Sequence, residues 1–182
     1  MRGIKATHER LQDAALRLFE EHGYDQVTVE QIASTAGVSH MTFFRHFPTK
    51  ESVVVSDPHD PLIAEAVTLQ PQDLTALERV RRGLIEVSTA MGDSIDRPTR
   101  SRIRIGVSHP KLRAAMWENN RITEDLLASA LIESGESEFE ARVAVGAGLG
   151  AVMAALVDWA EDEAGETRGV RIKRALDFLE SE

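Results

Sequence analysis

The chain has 182 residues, of which 42% are hydrophobic, enough to bury a substantial core as one domain or two small ones. Cysteine is absent, which excludes a disulfide framework and fits a reducing cytoplasm. The net charge of −9 excludes a protein that grips nucleic acid through its whole surface, and residues 1–50 are neutral, with six basic and six acidic side chains, so any such face must be local.

Arg2, Lys5 and His8 open the chain as a short basic segment, either a loose arm on DNA or a disordered terminus. Leu11, Ala14, Ala15, Leu18 and Phe19 then recur at helical spacing, and Gly23 stops this helix with Tyr24 placed to fold back on Phe19 as in a Schellman cap. Thr28 and Gln31 form a capping box, with Val27 and Ile32 as its hydrophobic staple, so a second helix starts at Val29. Gly37 permits a sharp turn, and Ser39 caps a third, short helix. The first turn of that helix carries His40, Met41 and Thr42, all able to reach base edges, while Phe43 and Phe47 pack inward. This is the pattern of a helix-turn-helix.

No acidic residue lies between Glu30 and Glu51, as approach to phosphate requires. The same two helices could instead pack on a partner protein. The run from Leu11 to Val53, with ALRLFEEHGYDQVTVEQIASTAGVSHMTFFRHFPTKESVV at its centre, resembles the DNA-binding domain of the TetR family of bacterial regulators. By that resemblance Thr28, Thr42, Phe44, His46 and Lys50 fall on positions that touch DNA, beside the cap Ser39, and His40, Met41 and Arg45 are the variable readers. Phe44 stands where the family usually has tyrosine, so the phosphate-donating hydroxyl is missing.

Pro58 and Pro61 interrupt the chain after Lys50, leaving about residues 50–56 as the rigid part of a connecting helix; the division expected is 1–56 for DNA binding and 57–182 for ligand binding and dimerisation. His59 between Asp57 and Asp60 reads as a metal-ligand set or as a polar turn. Helices are expected over 62–69, over 73–91 with a stripe of Leu74, Leu77, Val80, Leu84, Val87 and Met91, from near Pro98, from Pro110 to a stop at Gly135, from a capping box at Ser137 and Glu140 through Trp159, and over 167–179. The alternation in RIRIGV looks strand-like. The fold class is all-α.

Val143–Val157 is an uncharged apolar run of 15 residues, short of a membrane span and read as a buried helix. Within it Gly146, Gly148 and Ala151 imitate a dinucleotide fingerprint, but a capping box ahead of them starts a helix, not a strand. Small residues at four-residue spacing, Ala144 with Gly148 and Gly146 with Gly150, instead allow another helix close approach, either in the monomer core or across a homodimer. The resemblance implies the latter, through residues 137–179.

Arg97, Arg100, Arg102 and Arg104 offer an anion site or a solvated face. Met91, Ile105, Met116, Trp117 and Trp159, with Phe139, are the candidates for lining a ligand cavity or else are core. No catalytic triad, H-E-x-x-H or phosphate loop occurs, so neither an enzyme nor a cofactor is expected. Two functions remain: a regulator released from duplex operator DNA by a small, largely apolar molecule, or a helical interaction module without ligand sensing.

Overall fold

The computed structural model describes residues 2–56, 60–92, 96–162 and 165–180, and among them every regular element is a helix. These residues form two compact units, 1–56 with 101–117, and 57–100 with 118–182. Ser101–Trp117 belongs to the first unit and not to the second.

In the first unit, α1 (Arg2–His22) begins well ahead of Leu11, so the opening segment is helical and not a loose arm. A single 3₁₀ turn (Tyr24–Gln26), α2 (Val29–Thr35), α3 (His40–His46) and α4 (Ser52–Val55) follow. Leu11, Ala15, Ile32, Phe43, Phe47 and Val53 are completely buried in its core, where a Phe or Leu side chain contributes about 1.5–3 kcal/mol each. Gly23 has φ 79° and ψ 152°, which is not the left-handed helical cap anticipated there. Tyr24 does turn back on Phe19, ring centroids 5.4 Å apart. The Schellman motif lies instead at Gly37, where Val38 N–H reaches Ala33 O (2.9 Å) and Gly37 N–H reaches Ser34 O (3.0 Å) at φ 67°.

The C-terminal half of α7 (Asp96–Ser108) and the first turns of α8 (Pro110–Glu133) complete this unit. RIRIGV is helical and not a strand, and its Ile103 and Ile105 are both buried. Leu112 is fully buried in the same core as Phe43. His109 fastens the start of α8, its Nδ1 accepting from Lys111 N–H (3.2 Å) and its Nε2 lying 3.1 Å from Asp25 Oδ2.

In the second unit α6 (Ala76–Met91) packs against α5 (Asp60–Thr68), α9 (Glu138–Glu161) and α10 (Arg168–Phe178). Pro61 lies in the first turn of α5, where the missing N–H costs nothing; Pro58 and His59 lie outside the described residues. Thr75 caps α6, two residues after the expected start, and Thr167 caps α10. Ser137 caps α9 as expected, though the Glu140 carboxylate accepts a hydrogen bond from the Ser137 hydroxyl (2.7 Å) and not from its backbone N–H.

The buried face of α6 is rotated from the expected stripe. It consists of Ala76, Arg79, Val80, Arg81, Gly83, Leu84 and Ser88, so two arginines point inward while Leu77 and Val87 are only half-buried. A β-carbon at Gly83 would come within 2.9 Å of the Val67 Cα, so α5 and α6 touch backbone to backbone. α9 is long and apolar enough to cross a membrane, yet eight of its residues are buried here, Val145 and Leu149 among them. Its two small-residue pairs face different ways. Ala144 and Gly148 are buried, a β-carbon at Gly148 falling 2.5 Å from Val80 Cγ1, whereas Gly146 and Gly150 have nothing within 4 Å.

Candidate nucleic-acid interface

Two local devices set the entry of α2. The Thr28 hydroxyl accepts Gln31 N–H (3.3 Å) and the Gln31 side chain accepts Thr28 N–H (2.8 Å), while Val27 and Ile32 close the staple beneath them, both buried. After the Gly37 turn, Ser39 Oγ accepts Thr42 N–H at 3.1 Å and meets the Thr42 hydroxyl at 2.9 Å, so both hydroxyls are held at the start of α3. Phe43 and Phe47 anchor that helix from below.

What remains outward on α3 is a row of dissimilar side chains: His40, Met41 (77% exposed), Phe44 (41% exposed) and Arg45. Arg45 has no hydrogen-bond or ionic partner among the described residues, as a group reserved for an outside acceptor would. His40 is engaged: its Nε2 lies 3.2 Å from Glu30 Oε1 on α2, and its ring meets Phe44 edge-on at 4.7 Å. His46 is half-buried at the other end of α3, 6.1 Å from the ring of His8. Burial, and then the neighbouring His46, lowers the His8 pKa, and His8 stacks on Phe47 at 4.3 Å.

Lys50 does not project freely. Its ammonium donates to the carbonyls of Tyr24 and Val27, both at 2.9 Å, and sits 3.8 Å over the Tyr24 ring. Burial lowers its pKa, with Glu51 and Asp25 opposing. The adjacent Tyr24 hydroxyl donates to Glu51, and burial together with that carboxylate pushes the phenol up. Lys50 is therefore a brace between the 3₁₀ turn and the turn that leads into α4, with one N–H left over. Lys50→Ala should lower the melting temperature of the protein without DNA by several degrees, since charge-assisted hydrogen bonds contribute about 1.5–3 kcal/mol. An unchanged melting curve with only a shallower salt dependence of DNA binding would return Lys50 to a purely phosphate-binding role.

The residues expected around a ligand are not brought together within either unit. Ile105 packs in the first core, Met116 lies against Gly106, and Trp117 is 72% exposed, all in the first unit. Met91 and Trp159 belong to the second. There Met91 Sδ accepts from Arg168 (3.9 Å), and Trp159 is buried under the Arg100 guanidinium, 4.2 Å from its ring. Arg100 also donates to Trp159 O and Asp162 O (2.9 and 2.5 Å), whereas Arg102 donates to Ser56 O (3.1 Å), so these two arginines of the cluster serve different units. Gly146–Ala151 lies mid-way along α9 with no strand before it, which removes the geometry of a dinucleotide fingerprint.

Two features escaped the sequence reading. One is the Glu30–His40 pair, whose only signal is a carboxylate in the first turn of α2. The other is the bracing of the reader by Ser101–Trp117, for which His109 before Pro110, a cap before a first-turn proline, was the available hint.

Comparison with known proteins agrees with this geometry. Residues 11–56 match the model for bacterial regulatory proteins of the tetR family, and residues 74–182 match that for the MftR C-terminal domain. MftR of Mycobacterium tuberculosis, a transcriptional regulator assigned to mycofactocin biosynthesis, is 25% identical over 162 residues, spanning 86% of this chain and 81% of that one. The regulator TcmR of Streptomyces glaucescens is 46% identical over 55 residues, but these are only 30% of this chain and 24% of TcmR. Among solved structures, FadR of Thermus thermophilus, a repressor in complex with lauroyl-CoA, superposes with a TM-score of 0.55 over 94% of this chain and 92% of its own, at 24% identity. A capped helix-turn-helix, an acid-free reader helix and two family matches that together cover most of the chain lead to one assignment: the chain belongs to the tetR family of bacterial transcriptional regulators.

Proposed function

We propose that the protein binds a pseudo-palindromic operator as a homodimer in the cytoplasm and represses transcription until a small, largely apolar effector releases it. The observation that carries the DNA-reading part is the outward row of α3, which is anchored by fully buried Phe43 and Phe47 and free of carboxylates on the helix itself. In this reading His40, Met41 and Arg45 meet base edges, while Thr28, Ser39, Thr42, His46 and the remaining N–H of Lys50 meet the phosphate backbone. Phe44 gives apolar contact to the sugar-phosphate chain. Two such helices related by a two-fold axis would read inverted half-sites about one helical turn apart.

The effector belongs to the second unit. Met91 and Trp159 stay in the proposed lining, whereas Ile105 and Met116 serve the first unit's packing and Trp117 is best placed as an optical reporter. α8 supports the coupling, because one unbroken helix contributes Pro110–Trp117 to the reading unit and continues through Glu133 in the other. A tenfold change in operator affinity needs about 1.4 kcal/mol of difference in effector affinity between the two states.

Selection from random duplex DNA tests the reading. The expected product is a pair of inverted half-sites whose binding weakens steeply with salt, and Arg45→Ala should relax preference at one position per half-site. Failure to enrich any duplex, or salt-independent binding, would leave the helical interaction module. The recovered operator then supports a screen of apolar compounds and acyl thioesters, the latter prompted by the lauroyl-CoA complex of the T. thermophilus protein.

A further inference from the structure

Two side chains on the outward face of α3 are left unused by the rest of the reader. The inward face of that helix is fixed by Phe43 and Phe47, both fully buried. Its other outward groups are engaged: the Thr42 hydroxyl meets Ser39 Oγ at 2.9 Å, and the Phe44 ring packs edge-on against His40 (4.7 Å) and Phe43 (5.3 Å). Met41, 77% exposed, and Arg45, also exposed, make no hydrogen bond, ion pair or ring contact among the described residues.

Neither side chain needs a particular rotamer or tautomer for its chemistry to be defined. A guanidinium carries five N–H donors and no acceptor in any pose, and the major-groove edge that takes two such donors side by side is that of guanine, through O6 and N7. A methionine side chain is apolar along its length apart from a weak sulfur acceptor, so it gains most against the one apolar major-groove group, the thymine methyl. The backbone sets their spacing. Residues 41 and 45 are four apart on one regular helix, so they share a face and lie roughly 6 Å apart along its axis. Base pairs follow one another at about 3.4 Å, which puts the two contacts one or two base steps apart.

We infer that Met41 and Arg45 are the specificity-determining pair of α3: each half-site holds a thymine read by Met41 and a guanine read by Arg45, one or two base steps apart. This rests on α3 being the DNA reader, and it names the bases that the reader selects.

Duplex selection with the full chain should return inverted half-sites that carry this thymine and guanine. The recovered operator is then resynthesised with deoxyuridine at the thymine, which removes only the methyl group, or with 7-deazaguanine at the guanine, which removes the N7 acceptor. Deoxyuridine should weaken binding by the parent about fourfold per substituted half-site, as the loss of one buried methyl group does. 7-Deazaguanine should weaken it about tenfold, whereas inosine, which keeps O6 and N7 and lacks only the minor-groove amine, should bind as guanine does. Met41→Ala should become indifferent to deoxyuridine and stay sensitive to 7-deazaguanine, Arg45→Ala should do the converse, and Met41→Leu should keep the preference for thymine. Both positions are exposed, so the variants should melt as the parent does. If Met41→Ala loses as much on deoxyuridine as the parent, the methyl is read elsewhere and the role of Met41 is overturned. If Arg45→Ala weakens every sequence alike and only lowers the salt slope by about one, Arg45 binds phosphate and its role is overturned. A selected half-site without thymine and guanine at that spacing overturns the pair and leaves α3 as the reader, whereas a parent that enriches no duplex overturns the reader assignment beneath it.

Discussion

Arg79→Ala should cost about 3–5 kcal/mol of unfolding free energy, a large part of the 5–15 kcal/mol that holds a typical domain together. Arg79 lies on the helix that contacts α5, α9 and α10, and it is 1% exposed. Its guanidinium donates to Glu136 Oε1 (3.1 Å), Ser134 Oγ (3.0 Å) and Thr68 O (3.5 Å), tying the end of α5 and the α8–α9 turn to α6. Its Nε has no partner, so even the parent site is incompletely satisfied. Truncation removes the fork and leaves Glu136, only 19% exposed, facing an emptied cavity. Removing both ions should be far milder: Arg79→Met with Glu136→Leu is expected within about 1–2 kcal/mol of the parent, because an apolar pair avoids the desolvation that the ion pair bears. Urea unfolding at a fixed protein concentration, run as a double-mutant cycle, measures both. A single-mutant loss under about 1 kcal/mol would mean that water or another donor replaces the fork.

The local devices of the reader were legible because they are built from neighbours. A capping box needs only Thr28 and Gln31, a cap only Ser39 and Thr42, a turn only Gly37, and the structure has all three. The inward face of α6 was not legible, since Arg79 and Arg81 are buried by carboxylates as many as 57 and 99 positions away, and periodicity assigns arginine to the surface. The apolar helix α9 posed the opposite problem. Being apolar almost all round, it carries no stripe that says which face is inside, so Gly148 and Gly150 looked alike. Ser101–Trp117 joins the reader's unit through Ile105 and Leu112, apolar residues that a linear reading gives to whichever neighbour comes next in the chain. Met and Trp at helical spacing carry no signal for which unit they join: Trp159 is buried in the second unit, whereas Trp117 is 72% exposed in the first.

Gly150→Glu should abolish dimerisation while leaving the fold intact, and Gly148→Leu should do the reverse. Gly150 is exposed, and a β-carbon placed on it would meet nothing within 4 Å; beside it Ala147, Ala151 and Ala154 line a groove of about 520 Å³ with Phe178. Phe139 (77% exposed), Phe178 (78%), Val143 (54%) and Val170 (50%) extend this apolar surface over α9 and α10. A contiguous patch of that kind marks an interaction site, and a self-complementary one closes as a two-fold dimer. Glutamate there would be buried without a partner on association, twice over by symmetry, weakening the dimer by about 100-fold or more. In the monomer glutamate is a better helix former than glycine by about 0.5–1 kcal/mol, so melting of the isolated subunit should not suffer. Gly148 faces inward, where a β-carbon would lie 2.5 Å from Val80 Cγ1 and 3.1 Å from Leu84 Cδ1, so leucine must force α6 and α9 apart and lower stability by about 1–3 kcal/mol or more. Sedimentation, thermal melting and operator titration of the two variants separate the effects. Gly150→Glu should sediment as a monomer and lose operator affinity, because one half-site supplies only part of the contacts. If it remains a dimer at micromolar concentration, the outward stripe of α9 is not the association surface and the two-fold reading of the operator must come from elsewhere on the chain.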